Sequence, residues 1–317
     1  MGKRRIRLLQ QHYSEVNILG VDISENRRQE AYDRFGIATF TMLEETQNTD
    51  INCAFICSAP LTHRTKISEC LTAGLHVFSE LNLVSEGYLE NIRLAEAVNK
   101  VLFMSSTFLY RGDVRFLIDQ IKQNNTMFSY TYHIGQYLSD WHPWESFHDY
   151  FVGEKRTGGC REIFAIEIPW ILRAFGEIVD LSVHRYNISS LNIPYPDTIM
   201  VTVKHKNGSV GQILVDVVTR FPVRHFEAFS ETLQLEWRGK PEEVWITKPD
   251  FSDMTKVFVK GVAQRENGYR DFIVEDAYYM EIRAFFDTIQ GKYKPDYTFH
   301  DDLRTLQLVD SIMGAEY

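Results

Sequence analysis

The chain has 317 residues, of which 44% are hydrophobic, and a formal net charge of −9 at pH 7. This length suggests two domains, and the hydrophobic content suffices for globular cores. The basic residues are scattered apart from a group near the start, which argues against a nucleic-acid partner, and no signal peptide or apolar run of membrane-spanning length is visible.

The first segment, residues 3–16 (KRRIRLLQQHYSEV), has a helix-like pattern. A dinucleotide-binding fold opens instead with an apolar strand and a Gly-x-Gly-x-x-Gly turn, and only Gly2 fits that turn, as its third glycine. Two explanations stay open: a start that is short at its amino end, which we favour, or a fold without its central strand. Losing roughly two N–H bonds to a pyrophosphate, at ~1.5 to 3 kcal/mol each, predicts cofactor affinity lowered by roughly 10² to 10⁴.

Strands and helices then alternate up to residue 105, as in a doubly wound sheet. Residues 17–23 (NILGVDI) predict a buried strand ending in Asp22, followed by a helix over 25–35 that Ser24 caps and Gly36 ends. Asp22 is placed like the acid that accepts the ribose hydroxyls of a dinucleotide.

The apolar run 51–59 predicts a second buried strand. Thr62 caps the helix after it, whose inward positions are Ile67, Cys70 and Leu71, and Gly74 takes the left-handed position beyond. Residues 76–79 form the next strand, so Glu80 lies at its carboxyl end, where open α/β sheets bind ligands. One more helix is predicted before a strand over 101–105, and its apolar face consists of Leu89, Ile92, Ala95 and Val98.

The second half reads as an α+β domain with a large open, mostly antiparallel sheet, so we place the domains at 1–110 and 111–317. The predicted strands are 128–134, 178–186, 198–205, 210–220, 226–237 and 244–247, and the final helices are 274–290 and 301–312. Pro169 predicts a kink or a helix start within the apolar run 163–175.

Two segments resemble the glucose-fructose oxidoreductase/inositol dehydrogenase (Gfo/Idh/MocA) family. Residues 58–83 (SAPLTHRTKISECLTAGLHVFSELNL) follow its pattern of Thr-Pro, His, Ala-Gly-x-His-Val and Glu-Lys-Pro. Residues 278–312 follow its carboxyl-terminal pattern, as listed here: Tyr279, Glu281, Phe285, Gly291, Pro295 and Asp301 or Asp302. The resemblance implies a Rossmann-like domain that binds NAD or NADP, with NAD favoured by Asp22. The cofactor-binding residues that it implies are Gly2, Asp22, Ser58, Pro60, His63 and Glu80.

Two departures bear on activity. The family's Glu-Lys-Pro is Glu80-Leu81-Asn82 here, and Leu81 can neither donate nor accept a proton. In residues 157–170 (TGGCREIFAIEIPW), Ile166 stands where we place the family's acid/base histidine. Each lost general acid or base typically lowers the rate by ~10² to 10⁴. Three explanations stay open: another side chain has taken over the proton transfer, the chemistry differs, or the protein binds its ligand without turnover.

Residues 133–151 (HIGQYLSDWHPWESFHDYF) offer replacements, and they resemble a segment of a sugar-processing branch of the family. Aromatic rings can pack against the apolar faces of sugars, and His142 could bond their hydroxyl groups or act as the acid/base. Alternatively, the loop only fills the domain junction. Arg161, Glu162 and Glu167 are charged residues in an otherwise apolar run and would cost energy if buried without partners, so they either form a structural salt-bridge cluster or face a cleft. Our catalytic candidates are therefore His142, Glu162 and Glu167, and our substrate-binding candidates are Asn82, Tyr110, Arg111, Tyr137, Trp141 and Arg161.

These observations predict an NAD(P)-dependent oxidoreductase acting on a sugar or nucleotide-sugar derivative, with Glu80 and the aromatic loop facing one cleft. A catalytically degenerate binding or assembly subunit is the alternative. By resemblance we expect a homodimer or homotetramer formed through the second sheet. The four cysteines lack metal-ligand spacing, so we expect a cytoplasmic protein with reduced thiols, no metal site and no membrane partner.

Overall fold

A computed structural model describes residues 1–247, 253–261, 263–264 and 273–314. The chain divides into two units, Met1–Ser105 with Ile282–Phe299, and Ser106–Glu281 with His300–Tyr317. The domain boundary at residue 110 stays a prediction. The first unit also includes a carboxyl-terminal segment, Ile282–Phe299, which was not predicted. No described helix has the length and apolar character needed to cross a membrane, and all four cysteines are free thiols.

The first unit is built of short parallel strands joined by helices. Its elements are α1 (Gly2–His12), β1 (Leu19–Val21), α2 (Glu25–Phe35), β2 (Ala38–Phe40), β3 (Cys53–Ile56), α3 (His63–Thr72), β4 (His76–Ser79), α4 (Tyr88–Ala97) and β5 (Leu102–Met104). The described strands form two separate sheets, β1-β2 and β3-β4-β5. In a doubly wound sheet of order 3-2-1-4-5-6, the first strand lies between these two groups.

The core of this unit lies over the three-stranded sheet. Phe78 and Phe103 stack at 5.2 Å between ring centroids, and Phe285 packs against both. The β1-β2 sheet is much less covered, since Val21 is 46% exposed and α2 has no buried residue. The prediction of a buried strand over 17–23 was therefore wrong in its burial, because a parallel strand is buried only where its neighbours and both covering layers are present.

The helix ends of this unit follow the glycines. Gly36 and Gly74 have φ values of +66° and +78°, as predicted for left-handed residues beyond α2 and α3. The predicted caps were wrong, because neither Ser24 nor Thr62 makes a side-chain bond to its helix. Thr62 instead donates its hydroxyl to the carbonyl of Ala59.

The inward faces of the helices agree in part with prediction. Ile67, Cys70 and Leu71 of α3 are buried as predicted. In α4, however, the buried residues are Tyr88, Asn91 and Ala95, and Leu89 is 46% exposed. The predicted stripe is confirmed at Ala95, and Ile92 and Val98 are half-buried. It was wrong at Leu89, because Tyr88 packs inward in its place, against Phe299.

The second unit contains most of the remaining elements. They are α5 (Gly112–Asn124), β6 (Ser129–Gly135), α6 (Gly159–Phe175), β7 (Ile178–Tyr186), β8 (Thr198–His205), β9 (Val210–Asp216), β10 (Val223–Phe229), β11 (Gln234–Trp237), β12 (Val244–Thr247), β13 (Thr255–Val257), β14 (Ala263–Gln264), β15 (Ile273–Val274), α7 (Glu275–Ile289), which continues into the first unit, and α8 (Phe299–Met313). Eight strands form one sheet of order β13-β12-β11-β10-β6-β9-β8-β7. All its pairings are antiparallel except β6 with β9.

One face of this sheet packs against α6. Tyr132 and Phe226 lie on that face, and both contact the Trp170 ring at the middle of the helix. The predicted strand over 226–237 is a hairpin of β10 and β11, since the residues between them turn the chain. Pro169 neither begins nor ends α6, which continues through it to Phe175.

We expect hydrogen exchange to separate the two sheets of the first unit. Backbone amides of α2 should exchange at least about tenfold faster than those of α3, because a helix without buried side chains opens at little cost. Mass spectrometry of peptic peptides measures both helices in one sample, and α3 is the internal control. Equal protection of the two helices would contradict this interpretation of the split sheet.

Candidate active site

Asp22 follows β1 and is available to a ligand. Its Oδ1 accepts a bond from the backbone N–H of Ser24 at 2.8 Å, which fixes the carboxylate. Its Oδ2 lies 3.8 Å from Nη1 of Arg27, and 35% of the side chain is exposed. A fixed and partly exposed carboxylate at the end of a parallel strand can accept two ribose hydroxyls.

The N-terminus of α1 is suited to an anion. The first turn of this helix contains no acidic residue and has no side-chain cap, so its first N–H groups and the helix dipole favour a negative group. A Cβ added to Gly2 would lie 3.7 Å from Cβ of Cys57, which is ordinary contact distance. The space at Gly2 would therefore accept a side chain, and the roles of Gly2 at the pyrophosphate and of Asp22 at the ribose stay predictions.

Glu80, at the carboxyl end of β4, forms a buried ion pair with Arg5 of α1. Arg5 Nε donates to Glu80 Oε1 at 2.6 Å, and the two side chains are 2% and 9% exposed. The Arg5 guanidinium also lies 4.5 Å from the centre of the Phe78 ring. The charge of Glu80 is therefore balanced within the first unit, and the residue after it, Leu81, provides no amine.

The remaining predicted cofactor residues form a polar cluster around His63. Its Nε2 lies 2.9 Å from the carbonyl oxygen of Ser58, and its Nδ1 lies 2.5 Å from Oδ1 of Asn82. Burial lowers the pKa of His63, while these two acceptor oxygens act in the opposite direction. Ser58 also bonds the Thr62 hydroxyl at 2.7 Å, and Pro60 is buried at the start of that turn.

Asn82 is only 1% exposed, and its amide nitrogen donates to Ser79 Oγ at 3.3 Å. It was predicted to bind substrate, and in the structure it orients the His63 ring. A cavity of about 190 Å³ adjoins this pair, between the first turns of α3 and α4.

Glu167 anchors α6 to the large sheet. Its Oε2 accepts from the Tyr132 hydroxyl at 2.6 Å and from Trp170 Nε1 at 2.8 Å, and its Oε1 accepts from Arg224 Nε at 2.9 Å. The carboxylate is 1% exposed. Of the two readings left open for this residue, its geometry is that of a structural salt-bridge cluster.

Glu162 has a different environment one and a half turns earlier on the same helix. Its Oε2 is buried, and it has no hydrogen-bond partner among the described residues. Burial raises the pKa of Glu162 to about 7. A carboxyl group with this pKa changes protonation near neutrality, as a general acid or base must.

The predicted arginines have internal partners. Arg161 Nη2 donates to Asp310 Oδ1 of α8. Arg111 forms a two-bond pair with Asp113 at 3.0 and 2.6 Å, and it also donates to the carbonyl of Gly239. Tyr110 is half-buried below the Arg115 guanidinium. The substrate roles of Tyr110, Arg111 and Arg161 stay predictions, and the structure gives Arg111 and Arg161 packing roles as well.

The aromatic loop holds His142 between two rings. Its imidazole stacks on Trp144 and Tyr150 at 5.0 and 4.4 Å between centroids, and its Nδ1 lies 2.7 Å from Glu145. Trp141 donates its indole N–H to the carbonyl of Gln136 at 3.3 Å, and Tyr137 lies below the Arg220 guanidinium. The loop therefore presents ordered aromatic faces and an imidazole that is one-third exposed.

A groove of about 880 Å³ lies within the second unit. Its lining residues come from the end of β6, from α6, from β10 and from the turn after β11, and include Gln136, Ile163, Arg224, His225, Arg238 and Lys240. These cations were not predicted, because one strand over 226–237 in place of β10 and β11 does not bring Arg224 close to Arg238. The signal for the turn was present in Ser230-Glu231-Thr232, three consecutive polar residues that interrupt the alternating pattern.

Comparison with protein families finds one match. Residues 1–105 match the model of the Gfo/Idh/MocA oxidoreductase family, described as an NAD-binding Rossmann fold. No curated protein matches the chain.

Solved structures share the fold at low identity. Levoglucosan dehydrogenase in complex with NADH and levoglucosan has a TM-score of 0.79 at 14% identity, covering 98% of this chain and 92% of that one. Biliverdin reductase of Synechocystis sp. PCC 6803, with biliverdin and NADP+, has a TM-score of 0.76 at 16% identity, covering 98% and 94%. The WlbA dehydrogenase of Chromobactrium violaceum, with NADH and UDP-GlcNAcA, has a TM-score of 0.74 at 16% identity, covering 98% and 89%.

The Arg5–Glu80 pair predicts a strongly non-additive double-mutant cycle. Glu80→Gln should lower the free energy of unfolding by about 3 to 5 kcal/mol, because it leaves a buried guanidinium without its counter-charge. Adding Arg5→Met should restore most of that loss. Urea unfolding measures all variants, with Glu69→Gln in the exposed Lys66–Glu69 pair as a control that changes stability by less than about 1 kcal/mol. Additive losses at Arg5 and Glu80 would contradict the pairing.

Proposed function

We propose that this chain, whose residues 1–105 match the model of the Gfo/Idh/MocA oxidoreductases with an NAD-binding Rossmann fold, oxidises or reduces a carbinol carbon of a sugar or nucleotide-sugar derivative. NAD or NADP would accept or supply the hydride. The observation that carries the proposal is Glu162, a half-buried residue in the unit that contains the groove. Burial raises its pKa to about 7, and its buried Oε2 has no hydrogen-bond partner among the described residues.

The cofactor would be held by residues of the first unit. Asp22 suits the ribose hydroxyls, and the N–H groups at the start of α1 suit the pyrophosphate. His63 and Ser58 shape the turn after β3, where ligands of such sheets bind. Glu80 acts through Arg5, which it holds in place, rather than as an isolated charge.

The substrate class is supported by the groove and the aromatic loop. Tyr137, Trp141 and His142 offer flat faces and polar edges of the kind that bind sugar rings. Arg224, Arg238 and Lys240 line the groove and suit an anionic group such as a diphosphate. The levoglucosan and UDP-sugar complexes among the structural neighbours are consistent with this class.

Glu162 would move the proton. When an alcohol carbon loses hydride, its hydroxyl must lose a proton, and an ionised Glu162 accepts it at Oε2. In the reverse direction the neutral carboxyl returns the proton to the carbonyl oxygen. Leu81 cannot transfer a proton, and Glu167 already accepts three hydrogen bonds.

We further propose a cytoplasmic homodimer or homotetramer formed through the open face of the large sheet.

A second candidate function is a binding or assembly subunit without turnover. Leu81 favours it, because this residue replaces the lysine of the family's Glu-Lys-Pro. Single-turnover absorbance at the nicotinamide band, with NAD and a panel of nucleotide sugars, separates the two. Cofactor binding without any hydride transfer across the panel would favour the second candidate.

Glu162→Gln should lower kcat of alcohol oxidation by about 10² to 10⁴. A base must be ionised to accept a proton, so the wild-type rate should rise with pH and reach half its plateau near pH 7, the pKa of this carboxyl. The variant should lose this ascending limb. Glu177→Gln, at an exposed position just beyond α6, is the matched control and should keep both kcat and profile.

A stability measurement checks the same carboxyl without substrate. Because the folded-state pKa of Glu162 is raised above its ordinary 4.5, the folded protein binds more protons between pH 4.5 and 7, and wild-type stability falls across this window. The stability of Glu162→Gln relative to wild type should therefore increase from pH 5 to pH 8. A difference independent of pH would remove the basis for the assignment.

A further inference from the structure

We propose that His225, Glu227 and Glu236 form a binding site for a divalent transition-metal ion of the zinc class on the large sheet. The geometry of this site does not rest on the proposed oxidoreductase function, although His225 also lines the groove of the second unit. One ligand atom from each of the three residues can be chosen so that all three lie within 4.8 Å of one another.

The sheet register places the three side chains on one face. His225 and Glu227 are two residues apart on β10, so they point to the same side. Glu227 pairs directly with Glu236 of β11, and the adjacent pair, Phe226 with Trp237, points into the core. The three ligands therefore come from rigid strands on the face opposite α6.

The distances suit a tetrahedral ion. His225 Nε2 lies 3.3 Å from Glu236 Oε1 and 3.8 Å from Glu227 Oε1. Two ligands about 2.1 Å from zinc at the tetrahedral angle are roughly 3.4 Å apart. Small side-chain adjustments are thus enough to enclose an ion, and one coordination position remains for water or a ligand.

Two features of the metal-free arrangement are unfavourable. Glu227 and Glu236 are directly opposite one another, and like charges in cross-strand pairs are destabilising. His225 Nε2 is buried and makes no hydrogen bond within the described part of the chain. A bound cation would correct both, since it neutralises the two carboxylates and accepts the nitrogen lone pair.

A neighbouring arginine fixes one ligand. Arg238 Nε donates to Glu236 Oε1 at 2.6 Å, and such a bond to a ligating carboxylate orients it. A carboxylate has about four lone-pair sites, so Glu236 can bind the ion and Arg238 together. The imidazole nitrogen makes Zn²⁺ or Co²⁺ a better occupant than Mg²⁺ or Ca²⁺, which prefer oxygen ligands alone.

Metal titration of the full chain tests the site. After dialysis against EDTA and then chelator-free buffer, Zn²⁺ is added in competition with a chromophoric indicator. We expect about one ion per chain with a Kd in the micromolar range or tighter, no competition from Mg²⁺, and visible absorption bands of four-coordinate Co²⁺ on cobalt loading. His225→Ala should weaken binding by about 100-fold and Glu227→Gln by about 10-fold or more.

Glu227→Gln also separates ligand loss from misfolding. It removes the repulsion from Glu236, so the metal-free variant should melt at the same temperature as wild type or higher, while its Zn²⁺-dependent rise in Tm disappears. His184→Ala, at an exposed position of β7, is the control and should bind zinc normally. Zinc affinity that is equal in wild type and His225→Ala, or no binding to wild type, would overturn the proposal in favour of a protonated His225 between two acids.

Discussion

The second unit depends on the burial of one carboxylate. Glu167 is inaccessible to water and would be costly there without partners, yet donors from β6, α6 and β10 surround it. These three bonds fix the rotation of α6 against the sheet. At about 100° per residue, Glu162 then lies roughly 140° around the helix from Glu167, turned away from the donors that Glu167 uses. The same helix thus holds one carboxylate that accepts three hydrogen bonds and one whose buried oxygen has no hydrogen-bond partner among the described residues, which leaves that oxygen able to bond a ligand.

In the first unit, the buried ion pair of Arg5 and Glu80 fixes a helix against a sheet, as Glu167 does in the second unit. The pair joins the first turns of α1 to the carboxyl end of β4, and the guanidinium covers Phe78 of that strand. Helix α1 is therefore fixed over the three-stranded sheet, although the described residues contain no strand before it. The β1-β2 sheet has no comparable connection, which accounts for the exposure of Val21 and of the whole of α2. A ligand that bound Asp22 and the start of α1 together would tie the two sheets to each other.

Features of the fold that depend on a few neighbouring residues could be predicted from the sequence, whereas features that depend on contacts distant in the sequence could not. Local signals worked well, since β7, β8, β12 and the end of α2 at Gly36 were found where glycine, alternation or hydrophobic runs act over a few residues. The burial of β1 and of Leu89 in α4 was misjudged, because burial depends on neighbours that are distant in the sequence. The candidate site shows the same division. Glu162 stands out in the sequence as a charge in an apolar run, and its role stays a prediction, whereas Arg224 and Arg238 become part of the groove only through the pairing of β10 with its neighbours.

The cations of the groove favour an anionic ligand over a neutral one, in spite of the acids that accompany them. Arg238 bonds Glu236 through Nε, and a guanidinium has five N–H donors, so this acid orients the side chain without exhausting it. Lys240 is held in a similar way, 3.2 Å from Glu243. Side chains held before a ligand arrives lose less conformational entropy on binding. A neutral sugar would form no ion pair with these oriented cations, whereas a diphosphate or carboxylate attached to the sugar would.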